Sequence, residues 1–268
     1  MQTEQKGTGH AVEQAKDFFQ TAEQVLVLYG DVPMITSETL KALIASGDNT
    51  SLKVLTTELD DPTGYGRIVR DFDGNMLCIT EEKDVDDETK QINEVNTGIM
   101  CIPAQWLNQA LANLDNNNAQ GEYYLTDLIA QAVEQGLEIN SVICDDEMEV
   151  AGVNNRVQLA ELESYYQQKQ ATDLMMAGVT FRDPARVDIR GNITAGQDVT
   201  VDINVIFEGN NIIADNVEIG PNCIIINSSI AEGAQILANC IIENAEVGSD
   251  CTVGPFARLR PGTKLSAK

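Results

Sequence analysis

The chain has 268 residues, 43% of them hydrophobic, and a formal net charge of −25. That length can bury a large core and house two domains. The acidity argues against nucleic acid or an anionic membrane surface as partner, but not against phosphorylated ligands, which a metal and a few local cations can neutralise. No run of about 18 apolar residues is present, so no membrane span is expected, and Met1–Lys6 lacks the apolar core of a signal peptide. The six cysteines (Cys78, Cys101, Cys144, Cys223, Cys240, Cys251) form no C-x-x-C pair and His10 is the only histidine, so zinc and iron–sulfur readings are weak. Reduced thiols in apolar contexts point to a cytoplasmic chain.

In chain order, Gly7-Thr8-Gly9-His10 precedes a helical pattern through Phe18 and Phe19, and reads as a helix-entry turn before a ligand-binding one. Val25-Leu-Val-Leu-Tyr-Gly-Asp-Val-Pro33 opens on four apolar residues, which predict a strand buried on both faces of a parallel sheet. Gly30 and Asp31 stand at its carboxyl end, where open α/β sheets bind ligands, and a carboxylate there suits a metal held against phosphates. A turn or helix cap is the other role open to Asp31. Ser37 is placed to cap a helix ended by Gly47, and residues 51–58 alternate as a strand.

In Asp60–Ile68 two glycines flank Tyr65, a loop whose backbone a sugar or base can approach closely. Asp73-Gly74 predicts a hairpin turn, with Met76–Thr80 as the return strand. Glu81–Asp84 is either a solvated rim or a set of hydroxyl-binding carboxylates. Glu94–Ile102 is an apolar strand entered through Asn96-Thr97-Gly98, Pro103 begins a helix, and Thr126 caps another that Gly136 ends. Leu137–Cys144 is a further strand. The alternation predicts an α/β domain of largely parallel strands. A helix from about Asn155 to Met176, with Leu159, Leu162 and Tyr166 on one stripe, leads out of it.

From Ile189 the chain repeats every six residues: Ile189, Ala195, Val201, Phe207, Ile213, Ile219, Ile225. The next starts come one residue early at Ile230 and again at Val247, with Ile236 and Ile242 between them and Val253, Leu259 and Leu265 beyond. Three hexapeptides per triangular coil is the signature of a parallel β-helix. The two short sides begin at Ile225 and Ile242, 17 residues apart, which is one coil with a five-residue side. They therefore stack, as do Asn227 over Asn244 and Cys223 over Cys240, the latter as a reduced ladder with a disulfide as the remote alternative.

Leu28–Pro33, Asp60–Ile68, Asn96–Gly98, Asn116–Asp127 and Val153-Asn-Asn-Arg156, followed by hexapeptides, resemble in order the bacterial bifunctional N-acetylglucosamine-1-phosphate uridylyltransferase / glucosamine-1-phosphate acetyltransferase family. The resemblance implies an N-terminally truncated Rossmann-like nucleotidyltransferase domain (1–154), a linker helix (155–177) and the start of a left-handed parallel β-helix (178–268). It implies Mg²⁺ held by Asp31 and Asn154, which carry the catalytic role. It matches Gln2, Gly7 and Thr8 to uracil-recognising positions, and Tyr29, Gly30, Asp31, Gly66, Glu81 and Asn96 to the UDP-N-acetylglucosamine site. Arg260 matches a phosphate-binding position of the acetyltransferase site. The reaction implied is attack of N-acetylglucosamine 1-phosphate on the α-phosphorus of UTP, in a homotrimer. Acetyl-CoA and glucosamine 1-phosphate are substrates only of the longer family member.

Two departures matter. The family's Gly-rich phosphate loop precedes the position matched by Gln2, and its acetyl-transfer base lies beyond the position matched by Lys268. The chain is thus expected to be an internal fragment, weak or inactive in uridylyl transfer and without acetyl transfer. Another sugar-phosphate nucleotidyltransferase with a regulatory hexapeptide domain, or a non-catalytic trimerising module, are the alternatives.

Overall fold

A computed structural model of the chain describes residues 4–268. They fall into two compact units, Met1–Gln158 and Leu159–Lys268. In the first, six strands form one sheet: β1 (Gln24–Val27), β2 (Leu52–Glu58), β3 (Arg67–Arg70), β4 (Met76–Thr80), β5 (Glu94–Pro103) and β6 (Ile139–Ile143). Helix α1 (Thr8–Glu13) precedes β1, and α2 (Ser37–Ala45), α3 (Ala104–Ala110) and α4 (Asp127–Glu134) lie in the connections between strands.

The order β4-β3-β5-β2-β6, with β1 also against β5, follows from apolar content. β5 is buried along nearly its whole length and β2 up to its last residue, so these two make the centre. β2 thus lacks the expected alternation: covered on both faces, it has no solvent side to encode. The largely parallel sheet foreseen holds for direction, not pairing. β1, β2, β3 and β6 share one direction, but β5 runs against β1, β2 and β3, so only β2 and β6 pair in parallel.

β1 also departs from expectation. It is four residues long and half-buried throughout, and Leu28 beyond it is 46% exposed. Among the described residues it pairs with β5 alone, and a groove of about 480 Å³ runs along it, lined by Val12, Ala15 and Phe19. At α2 the cap is Thr36, not Ser37: its hydroxyl accepts the Thr39 N–H at 3.2 Å.

The second unit begins in α5 (Arg156–Met176) and continues as a β-solenoid. Only Leu162 and Ala171 of α5 are buried, and Leu159 and Tyr166 stay exposed, because the helix packs on the solenoid through Ala171, Leu174 and Met175 rather than along the anticipated stripe. The hexapeptide starts form the three walls. Ile189, Phe207, Ile225, Ile242 and Leu259 stack on one, and Ala195, Ile213, Ile230, Val247 and Leu265 on the next. Phe181, Val201, Ile219, Ile236 and Val253 make the third. Every step is parallel, as in a left-handed β-helix. The two short sides lie in register, Ile225 against Ile242 and Ile230 against Val247. Asn227 and Asn244 occupy one corner with φ of 44° and 46°, a left-handed conformation that asparagine tolerates well. All six cysteines are free, and burial pushes the Cys223 thiol up to about 11.

Candidate active site

Strand register assembles the site. The antiparallel pairing of Val27 with Met100, continued by two residues, sets Tyr29 opposite Gly98. The pairing of Arg67 with Thr80 sets Gly66 opposite Glu81, and Asn96 donates its N–H to the Gly66 carbonyl at 2.8 Å. On the other flank the Val153 N–H donates to the Asp31 carbonyl at 2.8 Å, which lays the stretch bearing Asn154 beside Asp31. These contacts close a polar cavity of about 420 Å³ lined by Thr8, Tyr29, Asp31, Gly66, Glu81, Asn96 and Asn154. Residues 123 positions apart meet here because β1 and the stretch after β6 end at the same edge.

The side chains are held from behind. Asn96 accepts the Gly98 N–H on Oδ1 at 3.1 Å, and Thr8 accepts the Leu125 N–H at 3.0 Å. Burial pushes the Tyr29 phenol up, the Glu81 charge adds to that, and a hydrogen bond with Thr8 opposes it. Glu81 receives the Thr126 hydroxyl on Oε1 at 2.7 Å. Burial still holds its carboxyl above the usual range, with Thr126 opposing and Asp84 adding. Asp127, the first residue of α4, is pushed up to about 6 by burial and by the charges of Asp115, Glu81 and Asp84.

A divalent cation has a fitting place. A β-carbon on Gly152 would lie 3.9 Å from Oδ2 of Asp31 and 3.9 Å from Nδ2 of Asn154, so both side chains lie beside that glycine, and a turn of the amide brings its oxygen to the same side. One carboxylate and one amide oxygen are hard donors of the kind Mg²⁺ takes while retaining waters. Among the described residues no three His, Cys, Asp or Glu side chains gather as a metal-binding group. The cavity lining contains Asp31, Glu81 and Glu122 but neither lysine nor arginine.

Other expected site residues fall elsewhere. Gln2 lies outside the described residues. Gly30 lines the neighbouring apolar groove rather than the polar cavity. Gly7 begins α1 with its backbone against Tyr123, so the Gly-Thr-Gly turn is the helix entry expected of it, while Thr8 alone reaches the cavity. Arg260 belongs to the last coil of the second unit, where its carbonyl accepts the Thr263 N–H and hydroxyl.

Sequence reasoning missed the roles of Thr126 and Gln158. Thr126 occupies the cap position of α4 but makes no capping bond, its backbone being helical rather than extended there (φ −64°, ψ −23°), and its hydroxyl donates to Glu81. Gln158 lines the cavity, and its signal was the pattern Asn155-x-x-Gln158 at a helix start.

A mixed sheet with a polar cavity at its strand ends, joined in sequence to a hexapeptide solenoid, defines a nucleotidyltransferase-class protein. The sequence model of the nucleotidyl transferase family matches residues 1–169, and the chain belongs to that family. Residues 189–268 match the model of the GMPPB C-terminal domain. Over 268 residues, all of the chain, it is 54% identical to the "Bifunctional protein GlmU" of Pseudomonas putida and 52% identical to that of Stutzerimonas stutzeri. The same-named protein of Marinobacter nauticus is 52% identical over 267 residues. The chain spans 59% of the length of each of these relatives.

Proposed function

We propose that the chain is the uridylyl-transferring part of a bifunctional enzyme, moving UMP from UTP to N-acetylglucosamine 1-phosphate with release of pyrophosphate. The observation that carries this is the meeting of Tyr29, Asp31, Gly66, Glu81, Asn96 and Asn154 around one cavity. Asp31 and Asn154 would hold Mg²⁺. The cation, when bound, offsets phosphate charge and helps align the two substrates. Glu81 accepts sugar hydroxyls, Asn96 bonds the acetamido group, and the Gly66 backbone admits the ring closely. The sugar-phosphate oxygen attacks the α-phosphorus, and the bond to the pyrophosphate oxygen breaks. The homotrimeric state proposed with this reading draws support from Ile212 and Leu237, apolar residues exposed on the solenoid. The cytoplasmic location draws support from the six free thiols. Acetyl transfer from acetyl-CoA to glucosamine 1-phosphate belongs, in this reading, to the longer relatives.

The test is pyrophosphate release from UTP and N-acetylglucosamine 1-phosphate. With three carboxylates and no basic residue in the described lining, the phosphates of UTP need cations from outside it. The chain is therefore expected to turn over slowly, on the order of 10²–10³ below a site that meets these phosphates with preorganised donors. No release of pyrophosphate at all would refute the reading. The match of residues 189–268 to the GMPPB C-terminal domain leaves a second reading, another sugar-phosphate nucleotidyltransferase that carries a hexapeptide domain. A preferred acceptor lacking the acetamido group would establish it.

A further inference from the structure

The stretch between β6 and α5 presents Asn154, and two neighbouring amides of that stretch are tied down. Val153 donates its N–H to Asp31 at 2.8 Å, and Asn154 donates its own N–H to Oε1 of Gln158 at 2.8 Å. Gln158 is not needed to cap α5. That is done by Asn155, whose Oδ1 accepts the N–H groups of Val157 at 2.9 Å and Gln158 at 3.0 Å. In a capping box, the side chain three residues inside the helix returns to the N–H of the capping residue itself. Here it reaches one residue further back, to the residue whose side chain lies with that of Asp31 beside Gly152.

We infer that Gln158 is a positioning residue, which sets the orientation of Asn154 toward Asp31 for a divalent cation by holding the Asn154 N–H. The inference rests on the assignment of the cation to Asp31 and Asn154. With the 153 and 154 amides both anchored, the peptide planes on either side of Val153 are fixed, and the Asn154 side chain leaves the backbone in one direction. Partners that orient ligands in this way commonly change metal affinity about 10–100-fold when lost. The anchor sits in the first turn of α5, so a loosening of that turn would be felt at the cation.

The experiment uses the 268-residue chain and the variants Gln158→Leu, Gln158→Glu and Asn155→Ala. Mn²⁺ affinity is read by water-proton relaxation, and exchange of the Asn154 amide by NMR. Gln158→Leu is expected to weaken Mn²⁺ binding about tenfold and to release the Asn154 amide to fast exchange. Gln158→Glu, which keeps an acceptor oxygen, should retain amide protection and bind Mn²⁺ at least as well as the parent. Asn155→Ala removes the helix cap alone and should leave Mn²⁺ affinity within about twofold of the parent. Affinity unchanged in Gln158→Leu overturns the inference, and so does an equal loss in Asn155→Ala, which would mean helix fraying. A parent that binds no Mn²⁺ refutes the cation assignment. In that case the exchange of Asn154 still tells whether Gln158 anchors it, and protection unchanged in Gln158→Leu refutes the anchor.

Discussion

Gly98 holds φ at +81°, and a β-carbon there would come within 2.6 Å of Cζ of Tyr29. Gly98→Ala combines a strained backbone with displacement of the Tyr29 ring, so a loss of about 2–4 kcal/mol in urea unfolding is expected, together with loss of sugar-phosphate binding. Glu81 is tuned more gently. Its carboxyl already lies above the ordinary range because it is buried, and the Thr126 hydroxyl is the group that favours its ionised form. Thr126→Val removes that donor and raises the Glu81 pKa further. If the proposed acceptor is right, the pH below which N-acetylglucosamine 1-phosphate binding weakens should therefore move upward in the variant. A pH series of KM for the sugar phosphate reads this directly, and a kcat change without the KM shift would contradict it. The signal for Thr126 was visible in the sequence only as a helix cap, because a hydroxyl that could serve its own helix or a carboxylate 45 residues away looks the same in one dimension.

At the scale of elements, an ion pair ties β3 to β5. Arg70 of β3 grips Glu94 of β5 through two hydrogen bonds of 2.7 and 2.6 Å, and donates to the Ser141 hydroxyl at 3.0 Å. Burial alone would raise the Glu94 pKa, but the Arg70 hydrogen bonds and the guanidinium charge leave it below the usual value. A depressed carboxylate contributes stability that is complete above its unfolded-state pKa and is lost as pH falls through the lower folded value. Arg70→Met should thus cost about 1–2 kcal/mol at neutral pH, partial exposure keeping the effect below that of a fully buried pair. It should also flatten the acid limb of stability against pH, which urea titrations between neutral and acid pH would show. β1 teaches the limits of reading an element alone. Val25–Leu28 has the composition of a buried strand, yet its exposure depends on what lies alongside, and composition does not record neighbours.

Across the whole molecule the two units differ in how far contacts reach along the chain. In the solenoid the coils from Ile189 onward meet at 17 or 18 residues, as Ile225 meets Ile242 and Phe207 meets Ile225, so the repeat itself spells out the contacts. Cys223 and Cys240 stack inside that core, and burial keeps the Cys223 thiol protonated, near 11. At pH 8 its thiolate fraction is about 10⁻³, and the folded chain should leave Cys223 unlabelled by iodoacetamide on a timescale that labels it fully in urea. Mass spectrometry of the labelled peptides checks this, and equal labelling in both conditions would refute the buried ladder.

By itself the sequence determined the solenoid, its register and its two five-residue sides, because a period of six with neighbours one coil away is a local code. Its motifs also singled out Asp31, Gly66, Glu81, Asn96 and Asn154, which the folded chain gathers around one cavity. Tertiary structure alone decided that β5 runs against its neighbours, that β2 rather than β1 is fully covered, and that Thr126 and Gln158 serve other residues instead of their helices. Those outcomes come from pairings between segments tens of residues apart. Several pairings compete for the same apolar strand or the same hydroxyl, and the balance among them is struck only when the whole sheet packs.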